Sequence, residues 1–365
     1  MSTTAPTRAL MTSLIEDAVT APSMHNAQPW RFVHRTDTGT VELYGDPARA
    51  MPAEDPNHRA LHLGCGAALF NLRVAAAHRG RHAVVRLLPD PGDPWHLADV
   101  RIAATVIEHD DELAALRPAL RERHTSRFPF TDERVPPEIL DGLRSAAFLE
   151  GCRLVVPGAW HADTVLDLVQ DSARFEAAAP DVRGEIKAWV RTGLEDEGTD
   201  REAPDGKASD GERAGGEKTE GAHTGGAHAG GADLRTEGIP SYALGPRQYD
   251  VTSPVRDFGD HRPVPGRESA RFERSPQIVL LGTVEDTPAD WLKAGQAMQR
   301  VLLRATLDGL STSLMSQPLE WPELRSVARD PGSTTGFVHM VIRLGYGPRG
   351  RATPRRPVDE VLSFT

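Results

Sequence analysis

The sequence predicts an α+β fold in which mixed sheets are flanked by helices around a long central helix pair. Strand-like runs near 30–35, 41–45, 83–88, 100–106, 152–157, 277–283, 311–315 and 338–345 alternate irregularly with helical patterns near 7–21, 58–79, 110–122, 136–147, 161–177, 181–193, 287–309 and 320–329. The helices near 58–79 and 287–309 are long, apolar and closed by Gly80 and Gly309, which marks them as the buried pair. A Rossmann fold is excluded, because Gly64-Cys65-Gly66 is only a fragment of GxGxxG and enters its helix without the acidic partner of a dinucleotide site.

The first helix carries Leu10, Met11, Leu14, Ile15, Ala18 and Val19 at spacings of three and four, and Pro22 stops it. Ser23 and Asn26 are then free to offer a side-chain oxygen and an amide to a flat polar ring edge, although a helix-turn-strand corner without a ligand satisfies the same residues. After Pro29 come a strand from Trp30 to Arg35, a turn at Asp37-Thr38-Gly39 and a second strand from Val41 to Tyr44. Further on, Arg123 and Arg127 lie four apart with the hydroxyl of Thr125 between them; on a turn entering a helix they can grip a phosphate. A solvated basic turn is the plain alternative. Thr131 to Leu140 then has helix-start chemistry, with acids, Pro136 and Pro137, followed by Ile139, Leu140, Leu143 and Ala147. Near the C-terminus, Val338 to Gly347 reads as a buried strand entering a glycine turn, ahead of Arg355-Arg356-Pro357.

At 365 residues and 39% apolar content the chain can bury one large core or two fused half-domains. No apolar run approaches a membrane span and the N-terminus has no signal-like pattern, so a cytoplasmic protein is expected. The formal charge of −10 argues against a general nucleic-acid binder. Residues 195–235 carry −6 of that charge (11 acidic against 5 basic), lack apolar periodicity and read as a flexible insertion whose removal should leave cofactor binding intact. His223 and His228 within it could bind a metal adventitiously, but no metal site is expected. Residues 238–267 are long and poor in secondary-structure signals, as suits a lid or a wrap over the sheet edge. Cys65 and Cys152 lie in apolar contexts without a paired motif and are expected to be buried thiols.

These segments together resemble the nitroreductase family of flavoproteins. Pro22-Ser23-Met24-His25-Asn26-Ala27-Gln28-Pro29-Trp30 resembles its PSxxNxQPW turn, and Arg123-His124-Thr125-Ser126-Arg127 resembles its RRSxR segment, in the reverse of the usual order. Phe130 to Leu140 resembles the FTDExVPxEIL phrase that follows, and the C-terminal Gly345-Tyr346-Gly347 with Arg355-Arg356-Pro357 resembles the closing signature. The resemblance is to the Acg-type branch, a nitroreductase-like fold that is internally duplicated so that one chain mimics the family homodimer. It implies a first half over 1–121 that supplies the PSMHNAQPW turn and a second half over 122–365 that supplies the arginines.

Two internal alignments fit a duplication. Ser23 falls over Ser145, where the helix-turn-strand recurs without its polar residues, and in the same register the arginine segment falls on residues 1–5, which contain no arginine. Residues 66–80 fall over 295–309 with glycine at both ends.

The resemblance implies FMN as cofactor, held by Ser23, Met24, His25, Asn26, Gln28, Arg123, His124, Thr125, Arg127, Ser316, Gln317, Arg355 and Arg356, in one site per chain. It implies hydride transfer from NAD(P)H through flavin N5 to a small electrophilic acceptor such as a nitro compound or quinone, in a monomer that needs neither nucleic acid nor membrane. Arg355 or Arg356 would reach the ring's N1/O2 edge or the phosphate, and a backbone N–H near Ser316-Gln317 would reach N5. No catalytic side chain is required, although His25 could donate a proton. Two alternatives stay open: a protein that sequesters FMN beneath a lid and turns over poorly, and a deazaflavin in place of FMN. The sequence departs from the family at His124 and Thr125, and where the usual Glu-Gly beside N5 is replaced around Ser316-Gln317.

Overall fold

The computed structural model describes residues 7–103, 110–191, 236–249, 255–260, 264–333 and 335–365. The insertion expected over 195–235, its two histidines, residues 1–5 and parts of 238–267 lie outside the described residues.

The first half runs α1 (Arg8–Ala18), β1 (Trp30–Arg35), β2 (Thr40–Gly45), α2 (Arg59–His78), β3 (His82–Leu87) and β4 (His96–Ala103), then the short α3 (Asp111–Ala114) and α4 (Ala119–Glu122). The second half runs α5 (Pro137–Leu149), β5 (Arg153–Val155), α6 (Ala159–Ala178), α7 (Pro180–Trp189), β6 (Arg247–Gln248), β7 (Ser269–Ala270), β8 (Gln277–Thr283), α8 (Pro288–Leu307), β9 (Ser311–Met315), α9 (Pro322–Val327), β10 (Phe337–Gly345), α10 (Val358–Val361) and β11 (Leu362–Phe364). The single helix expected over 110–122 is broken into α3 and α4, because Pro118 has no N–H to continue the ladder.

The largest sheet has the order β11-β1-β2-β4-β3 and the second β5-β8-β10-β9, while β6 and β7 pair in parallel as a two-stranded sheet. Without β11, the two orders are the same when β1, β2, β3 and β4 are matched to β5, β8, β9 and β10, and every matched pairing is antiparallel. The long helix falls in the same place in each half, between the second and third matched strands. The C-terminal β11 crosses back to pair in parallel with β1, setting Phe32 against Leu362; the sequence reading did not anticipate this strand.

The long helices α2 and α8 pack at Gly66 and Gly295. A Cβ on Gly66 would stand 2.4 Å from the Leu292 carbonyl oxygen, and one on Gly295 would stand 2.2 Å from that of Leu63, so only glycine permits this approach. Thr287 and Asp290 form a capping box at the start of α8. At α2 the carboxylate of Asp55 performs that role, accepting from the Ala60 and Leu61 N–H groups. A single apolar core runs from Met11 and Trp30 through Leu69 to Leu143, Met298 and Ile342, drawing on residues from both sides of position 121, which itself lies within α4. By length and hydropathy α2 alone among the described helices could cross a membrane, which corrects the reading that no apolar run approaches a span; 89% of its apolar window is buried in this core. Cys65 and Cys152 are buried free thiols, and burial pushes the Cys152 thiol up to about 12.

Candidate functional site

The corner after α1 is held in an unusual backbone conformation. His25, Asn26 and Gln28 have φ of 47°, 58° and 54°, a left-handed region that residues with a Cβ seldom adopt. Such residues persist only where their surroundings fix them. Here the Gln28 N–H donates to Ser23 Oγ at 2.9 Å, and the Gln28 amide donates to the Thr236 carbonyl and accepts from the Arg356 N–H. Asn26 Nδ2 donates to the carbonyls of Gly238 and Pro354, while its Oδ1 accepts from Arg355 at 3.0 Å. The turn is thereby tied to two distant parts of the chain, residues 236–238 and 354–356.

This corner forms part of two adjacent cavities that share Pro22, Ser23, Thr125 and Arg127 as walls. The smaller, about 50 Å³, is polar and is lined by Asn26, Arg123, His124, Thr353 and Arg355. The larger, about 350 Å³, is bounded by Met24 and His25 of the corner, by Leu63 and Gly64 of α2 and by Trp291 and Met298 of α8. Ser313, Ser316 and Gln317 at the end of β9 and His339 and Met340 of β10 complete it, with Val255, Arg256 and Phe258 lining it as well. Its volume lies within the range of small-molecule sites.

Arg123 is buried, and Arg127 and Arg355 are half-buried; none of the three has a carboxylate partner among the described residues. Arg123 donates only weakly, at 3.4 Å, to the Thr20 carbonyl, and the buried Nε atoms of Arg123 and Arg355 have no partner among the described residues. Burial, then the neighbouring Arg355, pushes Arg123 down to about 9; burial pushes Arg355 down to about 10. Burial and then these two arginines push His124 down to about 4, which keeps its ring neutral. Two adjacent guanidiniums without an acid between them are chemically suited to an anion with several acceptor oxygens. Arg127 stands between the two cavities, its guanidinium 5.2 Å from the centre of the Phe258 ring, and burial followed by Arg267 pushes it down to about 10.

Several expectations are corrected. The arginine segment does not enter a helix: Arg123 follows α4 as an extended residue, and residues 123–126 run beside β9, with the Ser126 N–H donating to Thr312. Arg355 lines the smaller cavity, with Arg123, and not the larger one; Arg127 reaches the larger cavity instead. Arg356 and Gln28 line neither cavity. Arg356 turns to Glu360 and to the Gln28 and Trp30 carbonyls, and Gln28 is fully buried. Asn26 spends its amide on backbone carbonyls and on Arg355, so it positions that arginine and has no free edge for a ring. His25 is a poor proton donor: burial, then Arg256, holds it down to about 3, and its neutral Nε2–H meets Glu54 at 2.6 Å.

The sequence reading missed a cluster of charge at the larger cavity. Arg256 binds Glu54 at 2.9 Å, Glu176 at 2.7 Å and Glu320 at 3.3 Å, and Ser316 Oγ donates to Glu320 at 2.9 Å. Its members are scattered from residue 54 to residue 320, so no spacing could have joined them. The only signal was that Arg256 lies inside 238–267 and Glu320 just beyond Ser316-Gln317. Phe258 packs edge-on to His25, with ring centres 5.4 Å apart, so the segment bearing Arg256 is held over the cavity by charge and by an aromatic contact.

No protein-family model matches the chain. "Putative NAD(P)H nitroreductase acg" of Mycobacterium tuberculosis is 29% identical over 99% of this chain and 98% of that protein. "Putative NAD(P)H nitroreductase Rv3131" of the same organism is 28% identical over 100% of this chain and 94% of that protein. Among solved structures, the FMN and NADPH-dependent nitroreductase NfnB of a sphigopyxis strain is 14% identical with a TM-score of 0.38, over 68% of this chain and 98% of that one. A nitroreductase with bound FMN from Bacteroides fragilis is 12% identical with a TM-score of 0.31, over 66% and 92%. From end to end, the chain is similar to these mycobacterial proteins named as putative NAD(P)H nitroreductases.

Proposed function

We propose that this protein is an FMN-dependent oxidoreductase that takes hydride from NAD(P)H and passes it to a small electrophilic acceptor such as a nitro compound or a quinone. The observation that carries the reading is the row Arg123, Arg355 and Arg127, guanidiniums without carboxylates among the described residues, along the wall where a small polar cavity meets a large one. A phosphate ester of a flat ring fits that division. Arg123 and Arg355 would hold the phosphate with Thr125, Ser23 would flank the linking chain, and Arg127 with Ser316 and Gln317 would face the ring. The full-length relatives named as NAD(P)H nitroreductases support the same reading.

When bound, FMN supplies a two-electron carrier between donor and acceptor. The chain's own residues bind, orient and shield. Arg127 remains cationic at neutral pH and would stabilise negative charge that develops at the ring's polar edge. Leu63, Met298, Met340 and Phe258 narrow the chamber and exclude water.

The matched strand orders of the two sheets, and the glycine-to-glycine meeting of α2 and α8, support an internally duplicated chain that mimics a dimer; a monomer is the state we propose with it. A single site follows from the asymmetry: in the aligned corner of the second half, Glu150 binds Arg73 and Arg300. One observation favours the second reading, a protein that sequesters FMN. Arg256 and Phe258 close on the larger cavity from residues 238–267, as a lid would.

Anaerobic addition of NADPH or NADH to the FMN-loaded protein separates the two. Rapid bleaching of the flavin absorbance is the result expected of the oxidoreductase. A flavin that stays oxidised with both donors would contradict it and favour sequestration.

A further inference from the structure

Three carboxylates converge on the one guanidinium of Arg256: Glu54 and Glu320 of the larger cavity, and Glu176 behind it. The Glu320 side chain is 5% exposed. Its Oε1 is occupied by Arg256 and Ser316, whereas its Oε2 is buried without a partner among the described residues, and Glu320 is part of the cavity wall. An ionised carboxylate with a bare buried oxygen is strongly disfavoured, and a carboxyl that carries a proton on that oxygen is not.

We propose that Glu320 is the acid that protonates the acceptor, a catalytic residue beyond the flavin machinery. The assignment rests on the oxidoreductase reading given above. The acceptor class it fits is a quinone or a related conjugated carbonyl compound. As hydride supplied by reduced flavin adds to the conjugated system, the π electron pair collects on the acceptor oxygen. That oxygen bonds to the proton as the Glu320 Oε2–H bond breaks, and Glu320 is left as a carboxylate that solvent reprotonates.

The surroundings agree. Burial, opposed by Arg256 and aided by Glu54, raises Glu320 to about 7, where an acid is most effective at neutral pH. Glu54 is likewise raised by burial, opposed by Arg256. The charged and titratable groups around them are Arg256, Glu176, neutral His25 and, further off, Arg59 and Arg127.

Two measurements test this. Infrared spectra of the protein between pH 5 and pH 9 should show a protonated-carboxyl band that titrates near neutrality and is absent in Glu320→Gln; no turnover is needed. A wild-type spectrum without the band would move the proton to His25 and overturn the assignment, as would a band that survives Glu320→Gln. The rate at which pre-reduced protein reduces menadione should fall above neutral pH in the wild type. It should be at least tenfold lower and flat with pH in Glu320→Gln, and Glu320→Asp should restore the limb. Should Glu320→Gln not fold, Glu54→Gln removes the neighbouring like charge and should move that limb to lower pH. An unmoved limb, or an unchanged profile in Glu320→Gln, overturns the proposal. Flavin reduction by NAD(P)H is read separately in the same samples, so failure of the oxidoreductase reading is distinguished from failure of the acid.

Discussion

Replacing Arg123 with methionine should strengthen the empty protein and weaken the loaded one. Arg123 is 3% exposed, faces Arg355, and is pushed by burial well below the usual guanidinium range, down to about 9. At 1.36 kcal/mol per pH unit, holding that charge in the empty site corresponds to roughly 5 kcal/mol. Methionine keeps most of the length and removes the charge, but it gives up the hydrogen bond to Thr20 and some packing. A gain of about 1–3 kcal/mol, or a few degrees in Tm, is therefore expected for the empty protein. The same guanidinium, set against a phosphate, supplies a charge-assisted bond of about 1.5–3 kcal/mol, so FMN affinity should fall about 10- to 150-fold. Riboflavin, which lacks the phosphate, provides the control. Fluorescence titration with both ligands and thermal unfolding of the empty protein are the assays. A variant that loses riboflavin and FMN affinity equally, or that is destabilised with FMN affinity intact, would refute the reasoning.

Gly295→Leu should lower stability by several kcal/mol, because any Cβ there strikes the Leu63 carbonyl at 2.2 Å and the central helices must separate; urea unfolding reads this, and a loss under 1 kcal/mol would contradict the packing. His339 is fully buried and held down to about 3 by burial and then by Arg59 and Arg325. Its Nε2 bonds Thr283 at 2.6 Å and its Nδ1 faces an Arg325 N–H, an arrangement that fits only a neutral ring. Its folded value is depressed, so its contribution is complete above pH 6.5 and is lost as pH falls toward 3. Between pH 7.5 and pH 5 the wild type should lose about 2 kcal/mol more than His339→Gln, and equal losses in urea titrations at the two pH values would contradict the assignment.

Much of the fold was legible because its elements are locally encoded. Leu10 to Val19 repeats with helical period, Pro22 ends α1, and Gly80 and Gly309 follow the two long helices. What the sequence hid depends on contacts between distant segments. β11 is three residues long and exists because β1 offers it an edge. The corner at Ser23 to Gln28 was read as a ring contact, yet most of its polar atoms are spent on Thr236, Gly238 and residues 354–356. Arg355 and Arg356 are adjacent and chemically alike, and only the fold sends one to Arg123 and the other to Glu360. The acidic cluster on Arg256 has no local pattern, because four segments far apart in sequence supply it.

The most direct test of the composite site is the flavin bound per chain after saturation with FMN and removal of excess, for the wild type, Ser23→Trp and Arg123→Glu. The result expected is one FMN per wild-type chain and none in either variant, although the two positions lie in opposite halves. Two FMN per wild-type chain, or loss in only one variant, would contradict a single site built from both halves.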